Sequence, residues 1–269
     1  LREAVAARPG VIGAGLGIPC TIDRKRGVAI NAVNLEITDV PIRDLMRERL
    51  GLPVFIDNDA NCAALAEHRF GAARGADNAI LLTIGTGIGG GLIINRELYR
   101  GSTGAAAELG HIVVEENGPP CQGTCPNRGC VETLASGTAL AREGTAAAGR
   151  NPGSLLARSL QEGEGISGKV VTEAALAGDA VALEVVAEAG RHLGVALASL
   201  VNIFDPDVVV IGGGVVGGAG ELLVAPAREE MQRRALPPMN STEVRLAELG
   251  PDAGMIGAAQ MVLEELAET

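Results

Sequence analysis

The sequence predicts an α/β fold whose sheets are covered by helices on both faces. Apolar segments punctuated by glycine alternate with helical segments along most of the chain, which is the pattern of α/β proteins. Two of these segments, AILLTIG and VVVIGGG, are continuous apolar runs, as expected of strands buried on both faces. With 269 residues, of which 47% are hydrophobic, the chain can form one large domain or two ordinary ones.

Periodicity and turn residues define the elements of the first third. Residues 1–8 predict the end of a helix, and VIGAGLGI (residues 11–18) predicts a buried strand stopped by a proline. PIRDLMRERL (residues 41–50) opens with proline, which is favoured at helix starts, and places its apolar side chains on one face. A short strand, PVFID, and a helix, NCAALAEHRFGAA (residues 61–73), follow.

The central part predicts a strand pair, a long loop and further helices. AILLTIGTGIGGGLIIN (residues 79–95) has the form of two apolar strands joined by a glycine-rich turn. Residues 101–129 have loop composition, and residues 132–149 return to helical composition. The polar, glycine-rich residues 151–170 predict a mobile connection between helices.

Helices dominate the last third. Residues 172–201 predict a helix interrupted at AGDA, and GRHLGVALASLVNIF (residues 190–204) leads into the buried strand DVVVIGGG (residues 207–214). Two further helices, over residues 219–236 and 254–268, complete the alternation of strands and helices.

The composition argues against several classes of function. The formal net charge of −11, from 22 basic and 33 acidic residues, opposes polyanions, so we expect no nucleic-acid partner. The apolar runs are well short of the roughly 20 residues that span a bilayer, so we expect no membrane association. Five cysteines, an odd number, and a start without a secretory signal pattern suit a reducing compartment. We therefore expect a cytoplasmic protein.

The glycine-rich turn in TIGTGIGGG (residues 83–91) follows a buried strand. Glycine lets backbone N–H groups approach an anion closely, and Thr86 adds a hydroxyl, so the turn is a candidate phosphate cradle. A tight structural turn explains the same residues equally well. The second glycine-rich strand end, VVVIGGG (residues 208–214), favours phosphate, because ligands of α/β folds sit outside the carboxyl ends of strands.

IDNDAN (residues 56–61) lies between a short strand and a helix. An Asx turn with a helix N-cap explains one of its polar side chains. It does not explain a pair of carboxylates and two amides, a set of groups suited to hydrogen-bonding a polyol and taking a proton from one hydroxyl. The motif alone leaves both interpretations open.

Three of the five cysteines lie within ten residues, in CQGTCPNRGC (residues 121–130). With His111 of AELGH, they offer one imidazole and three thiolates, which suits tetrahedral zinc of the Cys₃His type. In a reducing compartment a metal site is favoured over a disulfide. Glu132 follows this cluster closely. Its carboxylate is either held by a zinc-fixed loop or simply placed in the first turn of the next helix, where it favours the helix dipole.

The motifs IDNDANCAALAE, LTIGTGIGGGLI, AELGH and CPNRGCVE follow one another in this order. Together they resemble the sugar kinases of the ROK family, named for repressors, open reading frames and kinases, and among them the bacterial ATP-dependent glucokinases. The resemblance covers essentially the whole chain. It implies an actin-like ATPase (ribonuclease H-like) fold with two α/β domains closing on a cleft. It also implies transfer of the γ-phosphoryl group of ATP, with Mg²⁺, to the 6-hydroxyl of a hexose, with glucose favoured.

The resemblance also implies roles for individual residues. Asp59 matches the catalytic base. Sugar contacts are implied for Asn34, Asn58, Asp59, Glu108, His111 and Glu132. Nucleotide contacts are implied for Gly85, Thr86, Gly87, Gly89, Gly90, Gly213 and Gly214. A structural Zn²⁺ is implied on His111, Cys121, Cys125 and Cys130.

The chain departs from the family pattern at three places. Gly123 stands where the family has its first cysteine, so we expect Cys121 to take that role from two residues earlier. Cys20 replaces the second glycine of the family's Gly-x-Pro-Gly turn. The family's first phosphate motif, Asp-x-Gly-Gly-Thr, does not occur, so we expect a chain that lacks the first strands of the fold. As it stands, such a chain should be catalytically impaired.

Under this resemblance, residues 1–59 and 254–269 form the remnant of an N-terminal α/β domain, and residues 60–253 form a C-terminal α/β domain with the zinc loop. We expect a homodimer or homotetramer. Two alternatives stay open: a ROK-type transcriptional repressor that senses a sugar, and a kinase for N-acetylglucosamine, N-acetylmannosamine, fructose or allose. Asp59 favours a kinase, since a sugar sensor has no need of a base.

Overall fold

The computed structural model describes residues 3, 5, 7, 8, 10–31 and 37–267. Asn34, for which a sugar contact is implied, lies outside the described residues, as does most of the helix predicted over residues 1–8.

The first sheet is a parallel pair, β1 (Ala14–Ile18) beside β5 (Val54–Asn58). The connection between them carries α1 (Ile42–Leu50) and a small antiparallel sheet. That sheet consists of β2 (Thr21–Asp23), β3 (Val28–Asn31) and β4 (Thr38–Val40). The buried residues of both sheets form one cluster, against which the apolar side chains of α1 pack. This unit carries the strand end at which Asn58 is placed.

The second sheet has five strands in the order β10-β9-β6-β7-β8. The strands β6, β9 and β10 are parallel, and β7 and β8 extend the sheet in antiparallel fashion. Every residue of β9 is buried, as its continuous apolar sequence predicts. The strand bounds are β6 (Ala79–Ile84), β7 (Ile88–Ile94), β8 (Glu97–Leu98), β9 (Val208–Gly212) and β10 (Glu243–Leu246).

Helices cover both faces of this sheet, as predicted. Alternate residues of each strand face opposite sides. On one side Leu81 and Val210 pack against α2 (Asp59–Phe70). On the other side Leu82 and Ile211 pack in a larger core that includes residues of α7 (Ala180–Phe204) and α9 (Glu221–Arg234). The remaining helices are α3 (Val131–Ala135), α4 (Gly137–Arg150), α5 (Leu155–Gln161), α6 (Gly168–Leu176), α8 (Gly214–Ala219) and α10 (Ala253–Ala267). Within the described ranges, no helix has the length and apolar character to cross a membrane.

The last helix, α10, returns to the first sheet. It packs against β1, β5 and α2. The approach to α2 is so close that a Cβ added at Gly257 would lie 1.7 Å from the carbonyl oxygen of Cys62, so only glycine fits there. This packing supports grouping the end of the chain with its beginning. The exact division at residues 59/60 and 253/254 stays a prediction.

Several predicted elements need correction. Residues 151–170, predicted as a mobile connection, contain α5 and the start of α6. The single helix predicted over residues 219–236 is replaced by the end of α8 and by α9, which meet at Gly220. The segment 132–149 is likewise divided at Ser136 into α3 and α4. The small sheet and β10 were not predicted at all.

Candidate functional site

The two glycine-rich strand ends meet at one edge of the five-stranded sheet. The strands β6 and β9 are parallel neighbours, with Thr83 opposite Gly212. Gly213, at a φ of +97°, comes so close to the end of β6 that an added Cβ would lie 2.4 Å from the carbonyl oxygen of Ile84. One ligand at this edge can therefore contact both strand ends.

The glycine-rich turn is the tip of the β6–β7 hairpin, which confirms the predicted strand pair. The Gly85 N–H donates to the carbonyl oxygen of Gly87 at 2.9 Å, and Thr86 is exposed between them. The other glycines for which nucleotide contacts are implied lie beside this turn, with Gly89 and Gly90 in β7 and Gly214 at the start of α8.

Asn58 ends β5 and caps α2. Its side-chain oxygen accepts the N–H groups of Ala60 and Asn61 at 2.9 and 3.2 Å. These are two of the donors that the start of a helix leaves without a backbone partner. Its amide group donates to the carbonyl oxygen of Cys20 at 3.3 Å. The capping interpretation is therefore confirmed for Asn58, which also ties α2 to the turn after β1.

The possibility that all four polar residues of IDNDAN hydrogen-bond a polyol is not supported for two of them. Asp57 is 1% exposed and accepts hydrogen bonds from Arg100 Nε at 2.7 Å and Asn61 Nδ2 at 2.9 Å. Asn61 is itself buried. Their mutual hydrogen bond links the end of β5 to the first turn of α2, and Asn61 Oδ1 has no hydrogen-bond partner among the described residues. Arg100 was missed by sequence reasoning because it lies 43 residues away and no local pattern links it to the motif.

Asp59 is the first residue of α2, and part of its side chain is exposed. Within the described part of the chain its carboxylate accepts only local backbone N–H groups, that of Ala60 at 2.9 Å, and it forms no ion pair. The surrounding protein removes water from the Asp59 carboxyl, which raises its pKa. Hydrogen bonds from the backbone N–H groups of Ala60 and of Asp59 itself oppose that rise.

Adjacent residues of the β5–α2 junction line two separate cavities. One, of about 220 Å³, lies beside Asp59, Thr83, Gly212 and Gly213. The other, a small pocket, is lined by Asn58, Gly90, Glu108 and Cys20, among others. The junction thus contributes Asn58 to one cavity and Asp59 to the other. A larger cavity of about 600 Å³ lies between α4 and α7 and touches none of the predicted site residues.

Glu108, which lines the small pocket, precedes a short 3₁₀ turn (Leu109–His111) that ends at His111. Glu108 Oε2 lies 3.9 Å from His111 Nε2. Partial burial raises the pKa of Glu108, His111 lowers it, and the carboxylates of Glu132 and Asp59 raise it again. Glu108 is therefore close enough to the carboxylates of Glu132 and Asp59 for their charges to raise its pKa.

The carboxylate of Glu132 makes a contact that sequence reasoning did not predict. Its Oε2 accepts the backbone N–H of Ile88 at 2.8 Å, at the end of the glycine-rich turn. Glu132 is the second residue of α3, whose N-cap is Cys130. The residue that follows the cysteine cluster therefore contacts the hairpin directly.

The structure gathers the predicted metal ligands. The ligand atoms of His111, Cys121, Cys125 and Cys130 all lie within 4.8 Å of one another. His111 Nδ1 is 3.3 Å from Cys121 Sγ, and the sulfurs of Cys125 and Cys130 are 4.0 Å apart. A tetrahedral zinc with ordinary bond lengths separates its ligand atoms by roughly 3.5–3.8 Å, so this donor set fits the metal. Burial and the neighbouring thiols raise the pKa of Cys121. A bound cation such as zinc is therefore needed to keep this thiol in its thiolate form.

A model of the ROK family matches residues 2–265, and the chain belongs to this family. A glucokinase of Halalkalibacterium halodurans is 42% identical over 261 residues, which cover 96% of this chain and 78% of the relative. The crystal structure of a ROK family glucokinase from Streptomyces griseus, in complex with glucose and AMPPNP, is 40% identical, with a TM-score of 0.84. The match covers 96% of this chain and 86% of that one. The predicted actin-like ATPase fold is confirmed by this likeness.

Repressors of the same family are also similar to this chain. A xylose repressor of Bacillus spizizenii is 33% identical over 257 residues, covering 95% of this chain but 62% of the repressor. The glucokinase relatives are thus both more similar and more fully covered.

Proposed function

We propose that the protein transfers the γ-phosphoryl group of ATP to the 6-hydroxyl of a hexose, with glucose as the favoured substrate and Asp59 as the general base. One observation carries this proposal. Asn58 and Asp59, adjacent in the chain, line two different cavities, and Thr83 near the end of β6 and Gly212 and Gly213 at the end of β9 border the cavity on the Asp59 side. A sugar in one cavity and a nucleotide phosphate in the other meet at Asp59. The likeness to glucokinases selects the substrate pair.

The chemistry follows from the position of Asp59. Its carboxylate accepts the proton of the 6-hydroxyl as that oxygen attacks the γ-phosphorus, so a sugar O–P bond forms while the bond from phosphorus to the ADP oxygen breaks. The products are hexose 6-phosphate and ADP, with the proton on Asp59. Phosphoryl transfer depends mostly on positioning and charge stabilisation, and Mg²⁺ would arrive bound to the ATP phosphates.

Sugar recognition is proposed for a set of polar side chains. Asn58 and Glu108 line the small pocket, and His111 directs Nε2 towards Glu108 while Nδ1 faces the cysteines. Glu132 has one carboxylate oxygen engaged by Ile88, so the other oxygen is the one proposed to contact sugar. Asn34 completes the proposed set.

Nucleotide binding is proposed for the two glycine-rich strand ends. Gly85, Thr86 and Gly87 form the hairpin tip, Gly89 and Gly90 follow in β7, and Gly213 and Gly214 follow β9. The proximity of Gly213 to Ile84 supports a single nucleotide held between the two ends.

A structural Zn²⁺ is proposed on His111, Cys121, Cys125 and Cys130. It would fix the loop between AELGH and α3 and hold the imidazole of His111 in one orientation. The close approach of the four donor atoms supports this assignment, including Cys121 as the replacement for the family's first cysteine.

We further propose a cytoplasmic homodimer or homotetramer. The odd cysteine count supports a reducing compartment. Light scattering coupled to size-exclusion chromatography tests the oligomeric state, and a monomer at micromolar concentration would refute this part of the proposal.

The test of the function is a coupled assay for ADP formation with ATP and a panel of hexoses. The protein is assayed as the natural chain, including any residues that precede Leu1. Glucose should be turned over with the highest kcat/KM. Preference for an N-acetyl sugar or fructose would refute the glucose assignment. The absence of turnover with every hexose, together with sugar-dependent DNA binding, would establish the repressor alternative.

A further inference from the structure

The start of α4 is bonded to the tip of the β6–β7 hairpin, here called the phosphate turn (residues 85–88). The N–H of Gly137, the first residue of α4, donates to the carbonyl oxygen of Gly85 at 2.8 Å. The hydroxyl of Thr138 donates to the carbonyl oxygen of Thr86 at 2.8 Å, and its N–H points to the same oxygen at 3.4 Å. Two successive carbonyl groups of the turn are therefore fixed by two successive residues of one helix.

These bonds determine where the amides of the turn point. In a planar trans peptide the C=O and the following N–H point in opposite directions. Since the carbonyls of Gly85 and Thr86 face α4, the N–H groups of Thr86 and Gly87 face away from it. In the part of the chain that the structure describes, neither N–H has an acceptor. The third amide, that of Ile88, is already engaged by Glu132.

We propose that Thr138 is a positioning residue for the nucleotide, because its hydroxyl holds the Thr86–Gly87 peptide so that the Gly87 N–H points, beside the Thr86 N–H, at the phosphates. This inference rests on the proposed ATP site. Two consecutive, unpartnered N–H groups form an anion-binding concavity of the kind that binds phosphate. Without the hydroxyl, the Thr86–Gly87 peptide is freer to rotate, and the nucleotide must order it on binding.

Thr138 has a matched control in the same helix. Thr145 is also an exposed residue of α4, and its hydroxyl likewise donates to a backbone carbonyl oxygen, that of Ala141, at 2.7 Å. Among the described residues it forms no hydrogen bond with the phosphate turn. Thr138→Val and Thr145→Val therefore delete the same kind of hydrogen bond from the same helix, and Thr138→Ser keeps the hydroxyl at the tested position.

The experiment measures KM for ATP and for glucose, and the dissociation constant of the ATP analogue AMPPNP by calorimetry. Loss of one hydrogen bond should raise KM for ATP and the dissociation constant of AMPPNP by about threefold to tenfold in Thr138→Val. KM for glucose should change less than twofold, Thr138→Ser should restore both nucleotide values, and Thr145→Val should match the wild type.

The outcomes separate this inference from the proposed function. A wild-type protein that neither turns over ATP nor binds AMPPNP contradicts the proposed function itself. A wild-type protein that binds AMPPNP, with Thr138→Val equal to Thr145→Val, overturns the role of Thr138 alone. Equal increases in KM for ATP and for glucose would also overturn it, because they would indicate a general loosening of the fold.

Discussion

At the scale of single residues, Asp57 and Asp59 show how surroundings give different roles to two carboxylates that are separated by one residue. Asp57 is buried and held by Arg100, with Arg24 3.6 Å away, so its charge is compensated and unavailable to a ligand. Asp59 has no cation beside it among the described residues, and it lines the cavity that Gly212 and Gly213 also border. A general base needs an accessible lone pair and a pKa close to the working pH. Of these two carboxylates, only that of Asp59 has an accessible lone pair.

The raised pKa of Asp59 predicts the acid side of the pH profile. A base works only when deprotonated, so kcat/KM for the hexose should be full above the folded-state pKa and fall as the pH drops through it. Because the protein raises this pKa, the fall should begin at a higher pH than for an ordinary aspartic acid. The measurement is kcat/KM against pH, with circular dichroism confirming that the fold persists. An acid limb at or below the ordinary aspartate range would contradict it.

At the scale of elements, the site depends on how β5 and α2 are joined and held. Asn58 caps the helix, while Asp57 connects the junction to Arg100, which also donates to the carbonyl oxygen of Leu98. The Arg100 carbonyl accepts the N–H of Ala106, in the loop that lines the small pocket. The ion pair between the buried Asp57 and the partly buried Arg100 therefore connects the strand end, the helix start and the pocket loop.

This ion pair predicts a large loss of stability on truncation. Arg100→Ala removes the 2.7 Å partner of the buried Asp57 carboxylate and leaves Arg24 3.6 Å away, so it should lower the free energy of unfolding by about 2 kcal/mol. Arg96→Ala is the matched control, because Arg96 pairs with Asp77 at 3.1 Å on the surface and should lose less than about 1 kcal/mol. Urea unfolding measures both. Equal losses in the two variants would show that burial does not decide the value of these pairs.

The cysteine cluster makes a separate prediction about metal content. Elemental analysis of the purified protein should find about one zinc per chain. Cys121→Ser should reduce the zinc content and lower the melting temperature, because it removes one of four ligands. Cys62→Ala, at a buried cysteine outside the cluster, should keep its zinc. A protein that is metal-free, folded and able to bind sugar would refute the zinc assignment.

At the scale of the whole molecule, the sequence predicts the α/β architecture more accurately than it predicts the short strands and helices. Continuous apolar strands such as β9 and the long helix α7 have enough residues to show a pattern. The strands β2, β3, β4 and β10 have only three or four residues each, too few to show a period. The helix α5 lies in a polar segment and is held from a distance, since Asp179 accepts the N–H of Leu155 at 2.7 Å.

The residues of the candidate site likewise differ in how well the sequence predicts them. The motif residues Asn58, Asp59, Glu108 and the cysteines are visible in the sequence because each belongs to a local pattern. The partners that hold them come from distant parts of the chain, as with Arg100 on Asp57 and Thr138 on the phosphate turn. Such contacts follow from the folded topology, which local spacing does not encode.

The most direct test of the account compares glucose binding and turnover in Asp59→Asn. Asparagine is nearly isosteric and can still accept a backbone hydrogen bond, so the variant should bind glucose within about threefold of the wild type by calorimetry. Its kcat should fall by about 10²–10⁴-fold, the range that general-base catalysis contributes. Near-normal turnover with unchanged glucose binding would contradict Asp59 as the base and the proposed mechanism with it.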